Sequence, residues 1–230
     1  METAMKFLPA LALSLYCLVA VAAVPGAACS AASGERKVAV LELYTSEGCN
    51  SCPPADNWIS TLPAKGLGPD KLVALALHVD YWNYLGWKDP FSQSQFSERQ
   101  RWVNRLNRAG FVYTPQLVLN GKDYRRSLGW DNFAERVRDV NRGQPGADIR
   151  LSAMPASSAL EVSANARLKN GGDRRRAQLY LALYENDLAN DVRAGENAGR
   201  RLQHDFLVRQ WACPFAFDAS GEAKVQQHFN

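Results

Sequence analysis

The stretch "EGCNSCPPAD", residues 47–56, joins the apolar run "VAVLELYT" to the helical stretch "NWISTL" and puts two cysteines, two residues apart, at the joint. The run before it is apolar at both parities, the pattern of a strand buried on both faces inside a parallel sheet. Pro53 and Pro54 lack the N–H that a helix interior requires but its first turn does not, so the helix starts at the cysteines. A strand running straight into a helix through such a joint confines the chain to layered α/β architectures. Unpaired first-turn N–H groups and the positive end of the helix dipole favour a thiolate there. Cys49, expected to begin the helix, is then the exposed, acidic thiol. Cys52, one turn in, is the shielded thiol that resolves a mixed disulfide. The same spacing also serves zinc, Cu(I) or a permanent structural disulfide, and residues elsewhere must separate these.

The pattern continues as α/β to about residue 145. "DKLVALALHVD" reads as a second buried strand, and "FSQSQFSERQRWVNRLNRAG" as an amphipathic helix with Phe96, Val103 and Leu106 inward and Gly110 as its stop. "TPQLVLNGKDYRRSLG" reads as a strand, an Asn120–Gly121 turn and a return strand. "DNFAERVRDVNRG" reads as a helix capped by Asp131 and stopped by Gly143. Past "GQPGAD" the period falls to two, in "DIRLSAM", "ALEVSANARLK" and "RRAQLYLALYEND", which predicts a small antiparallel, sandwich-like all-β unit. The expected organisation is 1–32 as signal peptide and connector, 35–145 as an α/β domain with a helical insertion, and 146–230 as a β-rich C-terminal domain.

The start of the chain sets the compartment. One lysine, an apolar run from Phe7 to Val24, a break at Pro25 and Gly26 and then small residues make an export signal. An uncleaved anchor and a lipid attached at Cys29 are the alternatives. The mature chain is expected to be periplasmic or secreted, without a membrane span, in surroundings where disulfides persist. Cleavage near residues 27–32 leaves at most Cys29, Cys49, Cys52 and Cys213. The net charge of +4 is spread over mixed signs with no basic, aromatic-interleaved stripe, so nucleic acid is excluded as a partner class.

With strand, cysteine pair, helix and the later "YTPQLVLNGK" in place, the sequence resembles the thioredoxin-like superfamily over roughly residues 38–140. The resemblance implies that Pro115 is a cis proline facing the pair and that Thr114 offers backbone groups to a peptide substrate. More narrowly, "LELYTSEGCNSCPPAD", "HVDYWNYLGWKDPF", "YTPQLVLNG" and "GENAGRRLQHDF" resemble an exported bacterial thioredoxin-like family catalogued as a domain of unknown function. Two departures stand out. Gly48 replaces the usual tryptophan and Asn50-Ser51 the usual Gly-Pro, which leaves the direction of electron flow open. The acid expected beneath the pair is Glu42, displaced by one residue; it either relays a proton to Cys52 or pairs with a nearby base.

His78 ends the second strand, where ligands gather in open parallel sheets, and Tyr81, Trp82, Tyr84 and Trp87 follow it. His78 and Trp82 are substrate-binding candidates, although a core histidine bonded to backbone and a loop packed on the sheet are the commoner outcomes for such residues. Glu196, Asn197, Arg200, His204 and Asp205 are read as a hydrogen-bonded loop and edge strand, with completion of the cleft as the alternative. Cys213 is read as buried and inert. The expected activity is thiol–disulfide exchange on a protein or small-thiol substrate, without an organic cofactor and with an unidentified electron donor. Two rivals remain: a metallochaperone-like domain holding Cu(I) on Cys49, Cys52 and His78, and a redox-silent binding module with the pair as a staple.

Overall fold

The structure is a computed structural model that describes residues 28–124 and 132–230, the side chain of Cys213 excepted. The signal segment, Arg125, Arg126 and the Asp131 cap lie outside the described residues, as does the side chain of Cys213. Among the described residues no helix is long and apolar enough to cross a membrane.

In chain order the strands are β1 (Cys29–Ala32), β2 (Ala39–Thr45), β3 (Leu72–His78), β4 (Gln116–Leu119), β5 (Lys122–Asp123), β6 (Ala147–Pro155), β7 (Leu160–Leu168), β8 (Gln178–Glu185), β9 (Leu188–Asp191), β10 (Arg201–His204), β11 (Leu207–Ala216) and β12 (Glu222–Phe229). The helices are α1 (Pro53–Ser60), α2 (Ser94–Leu106) and α3 (Phe133–Asn141). The central sheet has six strands in the order β5-β4-β2-β3-β11-β8. β2 and β3 are parallel, in a register that sets Thr45 beside His78 at their carboxyl ends. β4 pairs antiparallel to β2, and the turn into β5 uses Asn120 (φ 51°) and Gly121 (φ 80°), the left-handed pair that the Asn-Gly signal predicts.

Because β2 is buried on both faces, its parity sorts the core. Ala39, Leu41 and Leu43 pack with Ala55, Ile59, Leu62, Phe133 and Val137 of the α1–α3 layer. Val40 and Tyr44 pack on the other face, with Phe96 and Val103 of α2. Leu106, expected inward, is exposed at 64%. At 100° per residue the buried arc of α2 runs through Phe96, Ser97, Gln100, Val103 and Asn104, and Leu106 falls beside it at the last turn. The polar members of that arc are satisfied: Gln100 Nε2 donates to Gln116 Oε1 at 2.8 Å, and Gln116 Nε2 to Asn104 Oδ1 at 2.8 Å.

The C-terminal segment does not form a unit with its own separate sheets. β11 runs parallel beside β3 and pairs antiparallel with β8, so the segment supplies two strands to the central sheet. A second sheet, β1-β6-β7-β12, packs Val162, Ala164, Val225 and Phe229 against Leu179 and Leu181 of β8. β9 and β10 form a small ribbon of their own.

Candidate functional site

The joint after β2 is where the sequence features converge. Cys49 and Cys52 form a disulfide. Cys52 occupies the N-cap position of α1, with Pro53 and Pro54 in the first turn, so Cys49 precedes the helix rather than starting it. Nor is Cys49 exposed; both cysteines have zero accessible surface. The 195–199 turn is bonded to the backbone of the cysteine segment. Asn197, itself fully buried, donates through Nδ2 to the carbonyl oxygens of Glu47 (2.8 Å) and Cys49 (3.0 Å). Glu196 accepts from the Asn50 N–H at 3.0 Å. Gly195 turns the chain at φ +74°, and a Cβ there would stand 3.0 Å from that of Trp87.

The Thr114–Pro115 peptide is cis. Trp82 ties this loop to the pair: its Nε1 donates to Thr114 Oγ1 at 2.7 Å, while its Cβ lies 3.1 Å from the point a Gly48 Cβ would occupy. A Cβ at 48 would sit tightly against Trp82, which would have to give by a few tenths of an ångström. Of the neighbouring aromatics, Tyr81 and Trp87 are likewise hydrogen-bonded into the structure, and Tyr84 is exposed at 82%. The packed-loop reading therefore describes most of this segment.

Glu42 is not beneath the cysteines. Its even parity turns it to the α2 face, where Arg99 grips it through Nε and Nη2, each at 2.8 Å, and Tyr44 donates to it at 2.5 Å. The Arg99 guanidinium in turn lies 4.8 Å from the ring centroids of both Tyr180 and Trp211. The carboxylate on the cysteine face of α1 is Asp56, one turn after Cys52, whose carbonyl accepts the Asp56 N–H.

Asp56 belongs to a buried polar cluster at the carboxyl ends of β2 and β3, together with Glu47, His78, Asp89 and His204. Thr45 Oγ1 donates to Asp56 Oδ2 at 3.0 Å. His78 Nδ1 meets Asp89 Oδ2 at 2.7 Å, and His204 Nε2 meets Glu47 Oε1 at 2.9 Å. Asp89 also accepts the N–H groups of Glu47 and Phe91. Glu47 accepts from Trp87 Nε1 at 2.9 Å and Asn190 Nδ2 at 2.8 Å.

The charges follow from these partners. Burial pushes the Asp56 carboxyl above its ordinary value, and the nearby histidines and the Thr45 hydroxyl only partly offset it. Burial alone would lower the His78 pKa, but Asp89, through its charge and its hydrogen bond, with Asp56 and Glu47, raises it. Burial would likewise raise Asp89, yet His78 and two backbone N–H groups hold it below the usual carboxylate range.

The sequence reading found His78 but not Glu47, Asp56 or Asp89, and set His204 aside as an edge-strand residue. Glu47 and Asp56 flank the cysteine motif itself. An acid inside a segment that must be buried is a signal that sequence alone carries.

No curated protein matches the chain. A crystal structure of protein AGR_C_4864 from Agrobacterium tumefaciens, from a structural genomics programme, is similar: 29% identity over 83% of this chain and 77% of that one, with a TM-score of 0.60. Residues 40–229 match the model of a family described as a protein of unknown function, DUF1223, and the chain belongs to that family.

Proposed function

We propose that the chain is an exported thiol–disulfide oxidoreductase of thioredoxin-like fold. The observation that carries this reading is the position of the Cys49–Cys52 disulfide, at the N-cap of α1 where the central parallel strands end, with the Thr114–Pro115 loop tied in by Trp82. In the reduced protein the Cys49 thiolate attacks a substrate disulfide and expels one substrate thiolate. Cys52 then attacks Cys49 Sγ, releases the second substrate thiolate and restores the disulfide. Oxidation of a substrate dithiol is the reverse. Cys49 is buried in the oxidised form, so exchange requires local opening, and the 195–199 turn bonded to its carbonyl is the segment we expect to move. Glu42 has no part in the proton transfer, because it faces α2.

The burial of both cysteines favours one rival, a redox-silent module with a permanent staple. The disulfide potential separates the two: a value below about −300 mV marks a structural bond, and a higher one an exchangeable bond. Turnover of a dithiol substrate should vanish in Cys49→Ser, and Cys52→Ser should accumulate a mixed disulfide. Equal turnover by parent and both variants would overturn the proposal. Against the Cu(I) reading stands the engagement of His78 with Asp89 and its grouping with Asp56 and His204.

A further inference from the structure

We propose that Asp56, His78 and His204 form a binding site for one divalent transition-metal ion of the zinc class, buried at the carboxyl ends of β2 and β3. Among the described residues, three buried side-chain polar atoms have no hydrogen-bond partner: Asp56 Oδ1, His78 Nε2 and His204 Nδ1. An orphaned buried polar atom costs about 1–3 kcal/mol, and native chains rarely leave one without a purpose. Here one comes from each of the three residues whose potential ligand atoms lie within 4.8 Å of one another. The two rings are 5.0 Å apart, and the three residues are at most 6% exposed. Atoms sharing an ion at about 2.0–2.2 Å stand roughly 3–3.5 Å apart, a separation that small rotations of the side chains reach.

The surroundings fit the same assignment. Each imidazole uses its other nitrogen on a carboxylate, His78 Nδ1 on Asp89 and His204 Nε2 on Glu47. With the proton on that nitrogen, the lone pair of the orphaned one points inward; carboxylate–histidine–metal arrays are built this way. Those carboxylates are themselves fixed, Asp89 by two backbone N–H groups and Glu47 by Trp87 and Asn190. A histidine binds a metal through a neutral nitrogen, and with both imidazoles in that form the three buried carboxylates of the cluster would leave negative charge for a dication to balance. Of the three histidines in the chain, two are spent here, and the third, His228, is largely exposed beside Glu161.

The donor set chooses the ion. Two imidazoles and a carboxylate suit zinc and its neighbours; Cu(I) prefers thiolates, and calcium or magnesium all-oxygen shells. A surface pocket of about 220 Å³, lined by Pro53, Asp56, Asn57, Arg201, Leu202, Gln203 and His204, adjoins two of the three ligands, and Arg201 at its wall is held by Asp191. The proposal stands apart from the redox reading, because it holds whether or not the disulfide exchanges.

The test is Zn²⁺ titration of the chelator-treated, disulfide-intact protein against a chromophoric chelator. One ion per chain is expected. His204→Asn and Asp56→Asn should weaken binding by about 100-fold or more, Glu47→Gln by about 10–100-fold, and His228→Asn not at all. The Cys49→Ser, Cys52→Ser double variant should bind as the parent does even where exchange is abolished. X-ray absorption of the zinc-loaded parent covers the case in which a ligand variant fails to fold: a nitrogen/oxygen shell with two imidazoles is expected. Failure of the parent to take up zinc, full affinity in folded His204→Asn, or sulfur in the shell would overturn the assignment.

Discussion

Glu42 and Glu47 stand five residues apart, and the strand between them decides what each can do. β2 is apolar at every other position on both of its faces, so the sequence announces that Glu42 is buried but carries no parity signal to say on which side. Only the packed structure places it against Arg99 and Tyr44, away from the cysteines. That placement has a measurable consequence in alkali. Burial raises the Tyr44 pKa well above 10, and the Glu42 charge raises it further. Between the unfolded tyrosine value of about 10 and the higher folded one, the folded state keeps a proton that the unfolded state has lost. Stability therefore falls as pH rises through that window. Tyr44→Phe should remove this share of the slope, while costing about 1–2 kcal/mol at neutral pH through the lost hydrogen bond to Glu42. Denaturant melts of both proteins between pH 8 and 11 check it; parallel slopes would show that Tyr44 titrates as if exposed.

At the scale of elements, α1 and the hairpin into β5 were legible because their signals are local: two prolines at a helix start, an Asn-Gly turn. The accessibility of Cys49 was not, since the turn bonded to its carbonyl comes about 150 residues later and reads, by itself, as a polar loop. Asn197 spends its side-chain amide on two carbonyls of the cysteine segment, so the turn acts as a latch on the disulfide. Asn197→Ala should loosen that latch and speed reduction of the disulfide by dithiothreitol about tenfold, the equivalent of roughly 1.4 kcal/mol in the opening equilibrium. Quenched alkylation read by mass spectrometry follows the rate, with exposed Glu196→Gln as a control expected to change it less. An unchanged rate in Asn197→Ala would mean that reduction proceeds without opening of the turn.

For the whole molecule, the period-two alternation of residues 146–230 disclosed strands but not their sheet. An alternating strand is compatible with any neighbour that covers its apolar face, and here β8 and β11 are taken up at the edge of β3 while β6, β7 and β12 form the layer packed on them. His204 and Leu207 straddle this joint: one completes the buried cluster with Glu47, the other pairs with Ala76 of β3. The N-terminal part alone would expose the β3 edge and leave Glu47, Asp56 and His78 without Asn190, Asn197 and His204. A chain ending at residue 145 should therefore fail to fold cooperatively, and the full chain should unfold in one transition that bound zinc shifts upward as a whole. Coincident thermal transitions in near- and far-ultraviolet circular dichroism test the second statement, and amide chemical-shift dispersion of the truncated chain the first. A well-dispersed, cooperatively melting fragment would show that β11 is an addition to a self-sufficient sheet rather than part of what holds it together.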